Sequence, residues 1–253
     1  QNMNKLIQTI ELSSATPGTH RQLKVHRYGK PGSRPKAYFQ AALHADEYPG
    51  LLVAQHLISV LDEAEKNGEI SGEIIVVPVA NPIGLDQHIN GQHLGRNELA
   101  GDGNFNRSWP DLTDAVYERI KNQLNSDPQF NVSKIREALE QEVSQLSDTG
   151  EFKNLRKVLL QLSIDADLVF DLHCDNQALP HLYASAHHRN LAAELGCDLG
   201  ASVVLLETEP GGAPFDECNA GVWWKLSDKT GSDYPVPLAC FSTTVELRGQ
   251  VDV

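Results

Sequence analysis

Apolar and polar residues alternate along "KLIQTIEL" (5–12) and "RQLKVHRYG" (21–29), and the turn-rich "SSATPGTH" separates them. That period of two predicts an N-terminal strand pair. "KAYFQAALH" (36–44) is more evenly apolar and reads as a buried strand running up to His44. From Pro49 to about Lys66 the period changes: Leu51, Leu52, Ala54, Leu57, Ile58 and Leu61 recur at helical spacing, with Pro49 suited to a first turn. "GEIIVVPVAN" (72–81) is a β-branched run of the kind found in strands covered on both faces. A long stretch rich in Gly, Asn and Pro follows at 81–110, and loops of that length in folded domains are functional or disordered. Its aromatic and basic residues point to function.

Residues 111–163 read as two or three surface helices broken at "NSDPQFNVS". "DADLVFDLHC" (165–174) is another buried strand carrying a histidine near its end. Then come the strand "HLYAS", the helix "HRNLAAELGCDLG", the strand "ASVVLL", a Gly-rich loop "EPGGAP", a Trp-bearing helix near 215–227 and the strand "ACFSTTVELRG". No internal repeat is present. Strands alternating with helices predict an α/β fold: a mixed, largely parallel central sheet flanked by helices on both faces. The expectation is a single domain over 1–253 with a helical insertion at about 111–163.

Composition narrows the class. With 40% hydrophobic and 22% charged residues, the chain is that of a globular protein. No window approaches the roughly 18 apolar residues that span a bilayer, and the first residues lack the pattern of a secretory signal. The net charge of −13, with no basic stripe, excludes nucleic acid as an expected partner. Acidic residues gather at 111–151, so an anionic substrate needs local arginines. Cys174, Cys197, Cys218 and Cys240 form no CxxC pair, which predicts free thiols in a reducing cytoplasm.

Ligands of open α/β sheets bind beyond the carboxyl ends of the strands. Four sequences sit at such ends: His44 with Glu47, the loop bearing Arg96 and Arg107, His173, and Glu246 in "FSTTVEL". A catalytic zinc ion takes three ligands from His and carboxylate and keeps a fourth position for water. His44, Glu47 and His173 form such a set, with Asp171 two residues before His173 on the same strand face. A lone HxxE, or a lone histidine in a buried strand, is commonly structural, so each element is weak by itself. Glu246 tells more, because a carboxylate in an apolar strand needs a partner or a raised pKa.

"HADE", "GNFNRSWP", "FDLHCD" and "TTVELRG", in this order, resemble the motifs of the zinc carboxypeptidase superfamily, and within it the succinylglutamate desuccinylase/aspartoacylase deacylases. The resemblance implies one Zn²⁺ per chain held by His44, Glu47 and His173, with Glu246 as general base. It implies that Asn106 and Arg107 grip the carboxylate of a small-molecule substrate and that Arg96 polarises the scissile carbonyl. The implied reaction is hydrolysis of an amide bond in an N-acyl amino acid or a similar carboxylate; a zinc carboxypeptidase and a zinc-holding module without catalysis are the alternatives. Such deacylases carry a β-rich domain after the glutamate strand, whereas this chain stops seven residues after Glu246, so that domain is expected to be absent or truncated. Tyr234 is the candidate for the tyrosine that peptidase relatives use. Cys174 as a nucleophile is a rival, disfavoured because strand alternation turns it away from His173. The other histidines are expected on the surface or in loops rather than as ligands; His88 and His93, in the long loop, are the two that could touch substrate.

Overall fold

The computed structural model describes residues 5–209 and 211–251. Its frame is one eight-stranded sheet. The strands are β1 (Leu6–Leu12), β2 (Arg21–Gly29), β3 (Lys36–Ala41), β4 (Glu73–Val77), β5 (Leu168–Asp175), β6 (His181–Ser185), β7 (Val203–Glu207) and β8 (Phe241–Gly249). In space they run β1-β2-β4-β3-β5-β8-β6-β7. The pairs β4–β3, β3–β5, β5–β8 and β6–β7 are parallel, whereas β1–β2, β2–β4 and β8–β6 are antiparallel. The expected mixed, largely parallel sheet is what the chain forms.

The helices are α1 (Pro49–Asn67), α2 (Thr113–Ile120), α3 (Pro128–Gln145), α4 (Glu151–Ser163), α5 (Arg189–Asp198) and α6 (Phe215–Thr230). Alternation along the strands divides them between two faces. On one face Ala54 of α1 packs with Ala41, Leu172, Leu182 and Val245, and Ala192 of α5 packs with Phe241 and Ala184. On the other, Tyr38, Ile75, Val77 and Val169 meet Ile135, Leu139, Leu155, Trp223 and Leu226 from α3, α4 and α6 in the largest core. Helices 113–163 are therefore part of the core and not only a surface layer. Trp223 is fully buried and Trp224 nearly so, which makes both packing residues.

Three boundaries differ from the sequence expectation. β3 ends at Ala41, so His44 lies in the turn beyond the strand. The break between α2 and α3 is shorter than "NSDPQFNVS", because the Asp127 side chain caps the backbone N–H groups of Gln129 and Phe130 and Pro128 begins the helix. The 81–110 loop is built from a one-turn helix (Pro82–Leu85) and two two-stranded ribbons. Among the described residues no helix is long and apolar enough to cross a membrane, and all four cysteines are unpaired.

Candidate active site

The register of the sheet assembles the site. Glu246 on β8 lies opposite His173 on β5 and opposite His181 on β6. One row below, Gln40, Asp171, Thr244 and Tyr183 face one another across β3, β5, β8 and β6. Period-two alternation turns both rows toward the same side, the side of α6.

After β3 the chain turns sharply, with Ala42 in the left-handed region (φ 58°). Asn81, completely buried, fixes this turn: its amide donates to Leu43 O (2.8 Å) while its oxygen accepts from Gly84 N–H (2.8 Å). Ala45 N–H donates to Gly95 O (3.0 Å). A Cβ on Gly95 would stand 2.3 Å from Asp46 N, so only glycine lets the loop lie this close. The turn thereby presents His44 and Glu47 toward His173.

His44, Glu47 and His173 are buried, and one ligand atom from each lies within 4.8 Å of the others. Nδ1 of His44 is 3.0 Å from one Glu47 oxygen, and Nδ1 of His173 is 2.8 Å from the other. Each far nitrogen has an oxygen close by: Asn104 Oδ1 lies 2.9 Å from His44 Nε2, and Asp171 Oδ2 lies 2.8 Å from His173 Nε2. Asp171 is held in turn by Gln40 (3.0 Å), which accepts from Tyr38 (2.9 Å). With the ring proton at Nε2, beside these oxygens, Nδ1 is left as a lone pair. Two imidazole lone pairs and a carboxylate then converge on one point, an arrangement that needs a cation or extra protons. Burial pushes His173 down, but Asp171 and Glu47 outweigh it and hold its pKa well above the ordinary value. Burial alone would raise Glu47, yet the two histidines keep its pKa well below the carboxylate range. The donor set, its burial and its outer acceptors fit a divalent metal ion.

The remaining expected residues reach the same cleft, of about 340 Å³, which His44, Glu47, Arg96, Asn106, Arg107, His173 and Glu246 all line. Glu246 has a sealed Oε2 without a partner, and burial first, then Glu47's charge, pushes its pKa up. Arg96, half exposed, reaches Glu47 Oε1 at 3.2 Å. Asn106 Oδ1 accepts the first N–H of α6, from Phe215 (2.8 Å), and its amide NH₂ can donate to a ligand. Arg107 is exposed and donates to Asn106 O (2.8 Å). It lies along Gly212 (φ 84°), where a Cβ would stand 2.6 Å from its Cδ. Arg156 of α4 donates to the carbonyls of Arg107 (3.0 Å) and Ser108 (2.6 Å) and stacks over Trp109 at 4.3 Å. Gly211 and Pro214 also line the cleft.

Several expectations are corrected. Tyr234 is exposed and away from the cleft; the tyrosine that lines it is Tyr183. His26, His181 and His188 are buried, not surface residues, because each sits in or beside a covered strand. His93 stacks on His88 (4.3 Å) and accepts from the Tyr48 hydroxyl (2.6 Å), and neither histidine lines the cleft. Cys174 does line the cleft, and its N–H donates to Glu47 (3.1 Å), but burial pushes its thiol up to about 12, far from a nucleophile's range. Residues that sequence reasoning missed include Asn81, Asn104 and Asp216. Asn104 stands two places before Asn106 in "GNFNRSWP", a signal available but unused; Asp216 reads in sequence as an ordinary first-turn acid.

A model of the succinylglutamate desuccinylase/aspartoacylase catalytic domain matches residues 33–227. Among solved structures, a succinylglutamate desuccinylase/aspartoacylase family protein from Shewanella amazonensis SB2B superposes with a TM-score of 0.81 at 24% identity, over 96% of this chain and 66% of its own. A protein described under the same two names from Shewanella frigidimarina NCIMB 400 gives 0.78 at 21%, over 98% and 66%. An aspartoacylase family protein from Mesorhizobium loti MAFF303099 gives 0.58 at 15%, over 98% and 62%. At these identities the likeness is one of fold, and the chain spans just under two thirds of the first two structures. No protein with a curated description matches the chain in sequence.

Proposed function

The chain belongs to the succinylglutamate desuccinylase/aspartoacylase family, and from that premise we propose that it is a zinc-dependent hydrolase cleaving the amide bond of an N-acyl amino acid or a similar small carboxylate. The observation that carries this reading is the meeting of His44 Nδ1, a Glu47 carboxylate and His173 Nδ1 around one buried point, with their outer acceptors already in place. These residues would hold one Zn²⁺, which when bound supplies Lewis acidity to the reaction.

The protein's own groups supply the rest. Glu246, in register with His173, accepts a proton from the attacking water and returns it to the leaving nitrogen. Its burial, and the raised pKa that burial brings, suit a group that must take up and release a proton. Arg96 stabilises the negative charge that develops on the carbonyl oxygen, after exchanging its hold on Glu47. Arg107 offers a planar fork to the substrate's carboxylate, and the Asn106 NH₂ adds a donor beside it. The products are a carboxylic acid and an amine. A reducing cytoplasm is the compartment that suits the four unpaired thiols.

The test is Glu246→Gln. The variant is expected to keep its metal and fold while turnover falls by roughly 10²–10⁴-fold. Metal analysis and an N-acyl amino acid hydrolysis assay read both, and near-normal turnover would remove Glu246 from the mechanism.

A further inference from the structure

Arg156 projects from α4 and does not itself line the cleft. Its guanidinium spans two successive peptide carbonyls: Nη1 donates to Arg107 O (3.0 Å) and Nη2 to Ser108 O (2.6 Å). The same group packs against two rings, 4.3 Å from the centre of Trp109 and 4.9 Å from that of Phe152. Among the described residues no carboxylate is in an ion pair with it, in a chain that holds 34 acidic residues against 21 Lys and Arg. Burial pushes its pKa down to about 10, and no acid raises it again. The cation is therefore committed to the backbone at 107–108. That segment is strained, since Ser108 lies in the left-handed region (φ 56°) that residues with side chains seldom adopt. From its other edge, Ser108 N–H donates to Gly212 O (2.7 Å) and Trp109 N–H to Ala213 O (3.0 Å). Among the described residues the Arg107 side chain itself has only its neighbour's carbonyl, Asn106 O, as a partner. Where Arg107 points is thus decided by the backbone beneath it.

We propose that Arg156 is a positioning residue for recognition of the substrate's carboxylate: its fork fixes the carbonyls of residues 107 and 108, and with them the direction in which Arg107 and the Asn106 amide meet the cleft. This rests on the hydrolase reading and adds a specificity determinant to it. Two acceptors on successive peptides need two donors at a fixed spacing, which a guanidinium carries on separate nitrogens of one plane and an ammonium does not. The rings hold the fork in turn. Trp109 is itself anchored, for its Nε1 donates to Phe105 O (3.1 Å) and its ring meets Phe215, the first residue of α6, edge-on at 4.8 Å. One indole thus joins α4, the arginine loop and α6, so the helical segment 113–163 reaches the substrate arm without touching substrate. A displacement of about 1 Å in such an arm is enough to cost a large part of a directed contact.

The experiment uses the zinc-loaded chain and measures kcat and KM on Nα-acetyl and Nα-succinyl derivatives of glutamate, glutamine and norleucine, each against its own α-carboxamide. The readout is the preference for acid over carboxamide, with Arg107→Ala setting its floor. Arg156→Met is expected to lower that preference roughly 10–100-fold, the weight of a hydrogen bond to a charged group. The loss is expected in KM with kcat and zinc content held, and it should vanish when Arg107 is already alanine. Arg156→Lys, which keeps the charge without the fork, is expected to behave like the methionine variant and carries the test if that variant fails to fold. Full preference in Arg156→Lys would overturn the proposal, since charge alone would then suffice. An unchanged preference in Arg156→Met, an equal loss in the Arg107→Ala background, or a wild type indifferent to the carboxylate would overturn it too. Absence of wild-type turnover on every compound would instead overturn the hydrolase reading beneath it.

Discussion

Glu47 is the most heavily committed side chain of the site. One carboxylate meets His44, His173, Arg96 and the N–H of Cys174, and such density of donors is the counterpart of an anion kept ionised in a nearly dry place. His173 is its closest histidine and bridges it to Asp171. Replacing His173 by alanine is expected to reduce bound zinc from about one per chain to near zero, because two ligands and an unmatched pair of carboxylates cannot hold the ion. Elemental analysis of the purified variant measures this, and retained zinc would refute the ligand set. At this scale the sequence was informative where chemistry and motif coincided, as at His44, Glu47, His173 and Glu246. It was silent where position alone matters. Asn81 is one asparagine among many in a loop, and nothing in its neighbours marks it as the brace of a ligand turn. Tyr183 faces the cleft because β6 pairs antiparallel with β8, which a single chain does not reveal.

Elements are held in place by ionic clusters far from the cleft. Asp167, just before β5, accepts from the backbone N–H of Lys36 on β3 (2.6 Å), pairs with Arg34 (3.1 Å) and pairs with Arg136 of α3 (2.5 Å). It ties a helix to the starts of two parallel strands. Burial works to raise its pKa, but these partners outweigh that and hold it below the ordinary 3.8. A depressed carboxylate stabilises the fold above its unfolded pKa and loses that contribution as pH falls through the folded value. Asp167→Asn is therefore expected to cost roughly 1 kcal/mol at pH 7, discounted for its partial exposure, with the deficit closing below about pH 4. Urea titrations of both proteins at a series of pH values check the sign; a constant deficit would mean that charge is not the cause. Helices were read well from periodicity, α1 to within a residue at each end. The turn elements of 81–110 were not, since two-residue ribbons carry no period.

At the scale of the molecule, the fold class followed from alternating strands and helices, yet the strand order did not. β3 and β5 are parallel neighbours with two-thirds of the helices between them in the chain, and only long-range packing chooses that arrangement. Because His44 and Glu47 lie before this crossover and His173 after it, a bound ion would clasp β3 to β5. Zinc at about 100 times its dissociation constant is expected to add roughly 2.7 kcal/mol, a rise in Tm of roughly 5–10 °C for a chain of this size. Thermal melts after chelation and after zinc return measure it; identical melts would deny the clasp. The seam at Gly95 has one more consequence. Where two backbones touch with no room for a side chain, the arginine loop and the ligand turn behave as a single inherited part. Anyone exchanging specificities by grafting the loop of a homologous protein must carry over its glycine and the asparagine at 81 together, or the graft will tilt His44 and Glu47, which it was never meant to change.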